Sequence, residues 1–110
     1  MMTTATETGF DIERRAMVAS QLRPNMVTDQ RVVLAMATIP REDFVPETAR
    51  ALAYRDTLVP LGGGRYLNMP TATGRLLTEA ELEPSDRVLL IGAAGGYTAC
   101  LLYTSDAADE

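Results

Sequence analysis

The sequence contains no histidine, and its ten basic residues are all arginine, with no lysine among them. Without imidazole the commonest general base and metal ligand is unavailable, which excludes chemistry that depends on it. The arginines are scattered from Arg14 to Arg87 rather than gathered into one stripe, so no nucleic-acid footprint is visible. No apolar run approaches the length of a membrane span. The N-terminus, Met1 to Gly9, is polar and lacks the apolar core of a signal peptide, so residues 1–10 are expected to be a disordered leader and the protein cytoplasmic. A chain of 110 residues suffices for one small domain but is short for a full doubly wound sheet.

The single cysteine, Cys100, opens a segment that needs separate treatment. Residues 100–110, Cys-Leu-Leu-Tyr-Thr-Ser-Asp-Ala-Ala-Asp-Glu, have neither the apolar period nor the capping logic of the chain before them. They resemble the translation of a transposon-end adapter used in sequencing libraries, and are expected to be a non-native tail. The other reading is a natural acidic tail. Leaving out Asp106, Asp109 and Glu110 takes the formal charge from −5 to −2, so neither acidity nor the thiol argues for a function.

Along the remaining chain the apolar period predicts helices first. Asp11 can cap a helix over Ile12–Leu22, with Ile12, Ala16, Ala19 and Leu22 near one face. A second helix is expected from Thr28 or Asp29, carrying Val32, Val33, Met36 and Ile39 until Pro40 stops it. Pro46-Glu47 suits the first turn of a shorter helix through Ala53. The charge run Arg41-Glu42-Asp43 is read as decorating a turn, and the methionines as packing. Two extended pieces, Thr57–Leu61 and Arg65–Asn68, flank a Gly62-Gly63-Gly64 turn. A fourth helix begins at Pro70 or Thr71 and ends near Glu83-Pro84. A buried strand is expected over Arg87–Ile91, and Tyr97 should open a further helix.

Two segments can carry chemistry. The triple glycine followed by Asn68-Met69-Pro70 reads either as a plain turn with a helix cap or as a ligand-facing connection. Gly92-Ala93-Ala94-Gly95-Gly96 follows the apolar run and lies where open α/β sheets bind ligands, outside the carboxyl end of a strand. It reads equally as a packed strand-to-helix turn. It does not match the dinucleotide fingerprint, because Ala94 and Tyr97 stand at its second and third glycine positions.

Taken in order, these segments carry a family resemblance. Ala16–Arg23, Asp29–Val32, Ile39–Pro46 and Val59–Gly64, with Pro70 following, resemble the N-terminal half of protein-L-isoaspartate O-methyltransferases. Val88–Tyr97 falls where that family has its first S-adenosylmethionine motif. The resemblance covers residues 11–99 and implies the N-terminal part of a methyltransferase domain. The implied fold is α/β: an N-terminal helical extension plus the first strand of a Rossmann-like methyltransferase, here incomplete.

The implied reaction moves a methyl group from S-adenosylmethionine to the carboxyl of isoaspartyl residues in damaged proteins or peptides, without nucleic acid, membrane or metal. A carboxylate nucleophile and a sulfonium donor require no strong base, so catalysis can rest on alignment and exclusion of water. Gly92, Ala93, Ala94, Gly96 and Tyr97 correspond to the cofactor motif. Asn68 stands where the family has its active-site serine. Leu90 and Ala94 replace an acidic residue and a glycine of the usual motif. Those departures leave a second expectation, a pseudo-methyltransferase acting as a binding or interaction protein. The stretch by itself is expected to be inactive.

Overall fold

Apolar residues recur at helical spacing through the first forty positions, and in the computed structural model they form the core. The structure describes residues 9–92 and 95–108. Helix α1 spans Gly9–Met17 and runs on through a π-helical turn, Val18–Leu22, and a short 3-10 turn, Arg23–Asn25. Asp11 therefore lies inside the first turn of α1, where it pairs with Arg14 at 3.0 Å, instead of capping it. Helix α2, Gln30–Thr38, is capped by Asp29, whose carboxylate accepts the N–H of Arg31 at 2.9 Å. It buries Val32, Val33, Ala35 and Met36 as its period predicts, and Ile39-Pro40 ends it.

Two 3-10 turns follow, Arg41–Phe44 and Glu47–Leu52, with Pro46 immediately before the second. Strands β1 (Val59–Gly62) and β2 (Arg65–Leu67) form an antiparallel hairpin with Val59 opposite Leu67 and Pro60 opposite Tyr66. Gly62, Gly63 and Gly64 all have positive φ, at 95°, 62° and 78°, a run of conformations that only glycine takes without strain. Helix α3 spans Pro70–Ala80, and Glu81 ends it in the left-handed conformation at φ 49°. Helix α4, Tyr97–Ala108, packs on α2.

The core gathers Met17, Leu22, Val27, Met36, Ala53, Val59, Tyr97 and Leu101 from α1 and its π-helical turn, α2, β1, α4 and the connections between them. The α/β character expected from the sequence is present in mixed, incomplete form. One expected element is not there. Arg87–Ile91 is not a strand, and the only sheet among the described residues is the β1–β2 hairpin. Leu89 and Ile91 are each 83% exposed. A buried parallel strand needs hydrogen-bonding neighbours and cover on both faces, and no other described segment supplies that edge. The tail also behaves differently from a solvated appendage: residues 100–108 continue α4, and Leu101 is fully buried.

Candidate functional site

The two chemistry-bearing segments are separated in sequence by α3 and residues 81–91. Asn68 sits at the junction of β2 and α3 with its side chain exposed. Its Oδ1 accepts the N–H of Met69 at 3.0 Å. With that oxygen engaged, the amide NH2 is the group left to face a ligand, and an NH2 donor suits a carboxylate. Pro70 occupies the first turn of α3, where a missing N–H costs nothing. The next N–H, that of Thr71, is satisfied by Asp56 Oδ1 at 3.2 Å, and the same oxygen accepts the Thr71 hydroxyl at 2.6 Å. Asp56 thus ties the segment before β1 to the start of α3.

On the other side, Gly92 and Gly96 have φ of 75° and 88°, and among the described residues, chain neighbours aside, no heavy atom lies within 4 Å of where a Cβ would stand on either. Backbone at these points is open to a ligand, which fits a cofactor that approaches main chain at this loop. Ala93 and Ala94 lie outside the described residues. Gly95 is held close to the protein, since a Cβ there would stand 3.0 Å from the carbonyl oxygen of Phe44. A cavity of about 230 Å³ is lined by Gly95, Phe44, Pro46, Leu61 and Arg65. Loop and hairpin therefore share one cavity wall. Neither this cavity nor one of similar size between α2, α3 and α4, of which Leu102, Tyr103 and Ser105 form part, is lined by Asn68, Gly92, Gly96 or Tyr97.

Tyr97 differs from a ligand-facing tyrosine. It is fully buried, its ring meets Phe44 edge-on at 5.5 Å, and the Arg41 guanidinium carbon lies 5.0 Å from its centroid. Its hydroxyl has no hydrogen-bond partner among the described residues. Burial pushes the phenol pKa up, against the pull of the neighbouring Arg41 charge.

Arg41 corrects the sequence reading most sharply. It does not decorate a turn; it is fully buried. Its Nε donates to the carbonyl of Ala53, and its Nη2 donates to the carbonyl of Asn68 at 2.6 Å. The backbone N–H of Arg41 donates to the Tyr54 hydroxyl at 2.9 Å. Burial lowers the guanidinium pKa, and nearby tyrosines and Asp56 oppose that shift. Beside it, Arg14 joins the same network, donating from Nε to Tyr54 at 2.8 Å and from Nη2 to Glu42 at 3.2 Å. Sequence reasoning missed Arg41, Tyr54 and Asp56 because each acts through contacts with distant segments. The one available signal was that Arg41 stands within the family-like run Ile39–Pro46.

Among the described residues no cluster of three or more cysteines or carboxylates could hold a metal ion, and no helix is long and apolar enough to cross a membrane. The family model for protein-L-isoaspartate (D-aspartate) O-methyltransferase matches residues 13–106. A protein-L-isoaspartate O-methyltransferase of Koribacter versatilis is 42% identical over 95 residues, covering 86% of this chain and 43% of that protein. Similar proteins bearing that name occur in Roseiflexus sp., 42% identical over 84% of this chain and 42% of the relative, and in Aeropyrum pernix, 40% identical over 81% and 34%. The chain therefore spans about two-fifths of the length of these curated relatives.

Proposed function

Because the chain belongs to the protein-L-isoaspartate (D-aspartate) O-methyltransferase family, we propose that the protein carrying it methylates isoaspartyl carboxylates in damaged proteins and peptides. S-adenosylmethionine, when bound, supplies an electrophilic methyl group. Gly92 to Gly96 would hold it, chiefly through the open backbone at Gly92 and Gly96, with the buried Tyr97 packed behind the loop. The acceptor is already an anion, so no residue has to remove a proton, which accords with a chain that has no histidine. The work left to the protein is to orient the carboxylate and keep water away. Asn68 is suited to the first task because its NH2 is the free end of an amide whose oxygen is engaged by Met69. A cytoplasmic setting belongs to the same proposal.

The observation that carries this reading is the cavity wall shared by Gly95 with Leu61 and Arg65. It supports a donor loop and an acceptor-side hairpin that serve one site. The test uses the full-length protein. Labelled methyl should pass from S-adenosylmethionine to an isoaspartyl peptide as a base-labile ester, and not to the matching aspartyl peptide. Binding of S-adenosylmethionine without transfer would instead favour a binding protein built on the same frame. No calorimetric binding at millimolar S-adenosylmethionine would remove the enzyme reading altogether.

A further inference from the structure

A buried guanidinium without an anionic partner is costly, and proteins keep such a group only where its hydrogen bonds hold something in place. Arg41 is such a group. It is fully buried and makes no ion pair among the described residues. Its bonds run instead to main chain. Nε reaches Ala53, at the end of the second 3-10 turn, and Nη2 reaches the carbonyl of Asn68 at 2.6 Å. The centroid of the Tyr97 ring lies 5.0 Å from its Cζ. One side chain thus touches both the residue proposed to orient the acceptor and the residue that closes the glycine loop and begins α4. Among the described residues, Nη1 of Arg41 and the hydroxyl of Tyr97 are both buried without a hydrogen bond of good geometry, yet the guanidinium and the phenol lie close enough to act on each other.

We propose that Arg41 is a positioning residue that fixes Asn68 and Tyr97 relative to each other and thereby sets the spacing between methyl acceptor and methyl donor. The inference rests on the methyltransferase reading above. Its physical basis is that arginine alone can do all of this from one position. Its planar fork supplies two directed donors while its delocalised cation stacks on an aromatic face. Lysine offers a compact charge that cannot hold both carbonyls and the ring together. Misplacing one reactant by about 1 Å costs about a hundredfold in rate, without any loss of a group that touches the reacting atoms.

The test compares Arg41→Met and Arg41→Lys with Val27→Ala in the full-length protein. Val27 is a buried core residue packed against Gly74, so its truncation lowers stability without touching the Arg41 contacts. All are assayed well below their unfolding temperatures. Arg41→Met should lower kcat by at least thirtyfold while KM for the peptide and Kd for S-adenosylmethionine stay within threefold. Arg41→Lys should recover part of kcat, and Val27→Ala should keep it. An Arg41→Met variant with kcat within threefold of the parent overturns the proposal, as does an equal loss in Val27→Ala. If the parent transfers no methyl group, the isoaspartyl reading fails separately. The positioning role is then decided by amide spectra of the labelled protein. Arg41→Met must shift the Met69 and Tyr97 resonances together while Val27→Ala shifts neither, and unmoved resonances overturn it.

Discussion

Tyr54 donates its hydroxyl hydrogen to Glu42 Oε1, and the Tyr54 hydroxyl oxygen accepts from Arg14 Nε and from the backbone N–H of Arg41. One phenol therefore ties α1 to the turn that carries the buried arginine. Replacing it with phenylalanine leaves the Arg41 N–H and the Arg14 Nε without their acceptor in a buried setting. Tyr54→Phe should cost about 1–3 kcal/mol, the range for stranding buried polar groups. The urea midpoint of the full-length protein checks this, and an unchanged midpoint would mean that the network is idle.

Alkaline pH should act on the same region. Burial pushes the pKa of Tyr54 up, with the Glu42 hydrogen bond adding to it and Arg14 opposing it, and burial does the same for Tyr97. Both folded-state values lie above the unfolded value of about 10, so the neutral phenol is the form that folding favours. The sign follows from linkage: their contribution is whole below pH about 10 and is lost as pH rises toward the folded values. Absorbance of the phenolate should show late titration accompanying unfolding. Tyr54→Phe and Tyr97→Phe should each delete one late-titrating group.

Asp29 gives the opposite slope. Burial works against its charge, but the side-chain and backbone hydrogen bonds from Arg31 outweigh burial and hold the carboxyl below the usual carboxylate range. The stabilisation is therefore complete above the unfolded pKa of about 3.9 and disappears as pH falls through the folded value. Asparagine still caps a helix, so Asp29→Asn isolates the charge. The variant should be less stable than the parent by about 0.5–1 kcal/mol at pH 7, and the gap should close as pH falls through the folded pKa. A gap that persists once the carboxyl has titrated would assign the effect to the cap alone.

Local signals made much of this frame legible. A helix start near Asp29, Pro40 as a stop, the glycine turn and the start of α4 at Tyr97 all follow from residue chemistry within a few positions. Apart from the cap expected at Asp11, which pairs with Arg14 inside α1, what failed depends on distant partners. The apolar run Arg87–Ile91 reads as a strand because of its side chains, but pairing is a property of a neighbour that the described chain does not contain. Arg41 reads as solvated because it sits beside Glu42 and Asp43, yet its bonds go to Ala53 and Asn68. Asn68 and the glycine loop are proposed as site residues by family resemblance, whereas the arginine that contacts both Asn68 and Tyr97 reads as a surface residue.

The tail of α4 offers the sharpest separation of foldedness from origin. Leu101 is buried completely, on a helix that rests against α2. Yet it belongs to residues 100–110, which resemble translated adapter sequence and are proposed as non-native. Any leucine arriving at that helical position would fill the same space, since burial rewards shape and apolarity regardless of where the residue came from. In this 110-residue chain Leu101→Ala should then cost about 2–5 kcal/mol, as for other buried leucines. Tyr103→Ala, at a position 77% exposed, should change stability by less than about 0.5 kcal/mol. Thermal unfolding of the two variants checks the contrast. Equal and negligible effects would mean that the C-terminal part of α4 contributes nothing to the fold, whatever its origin.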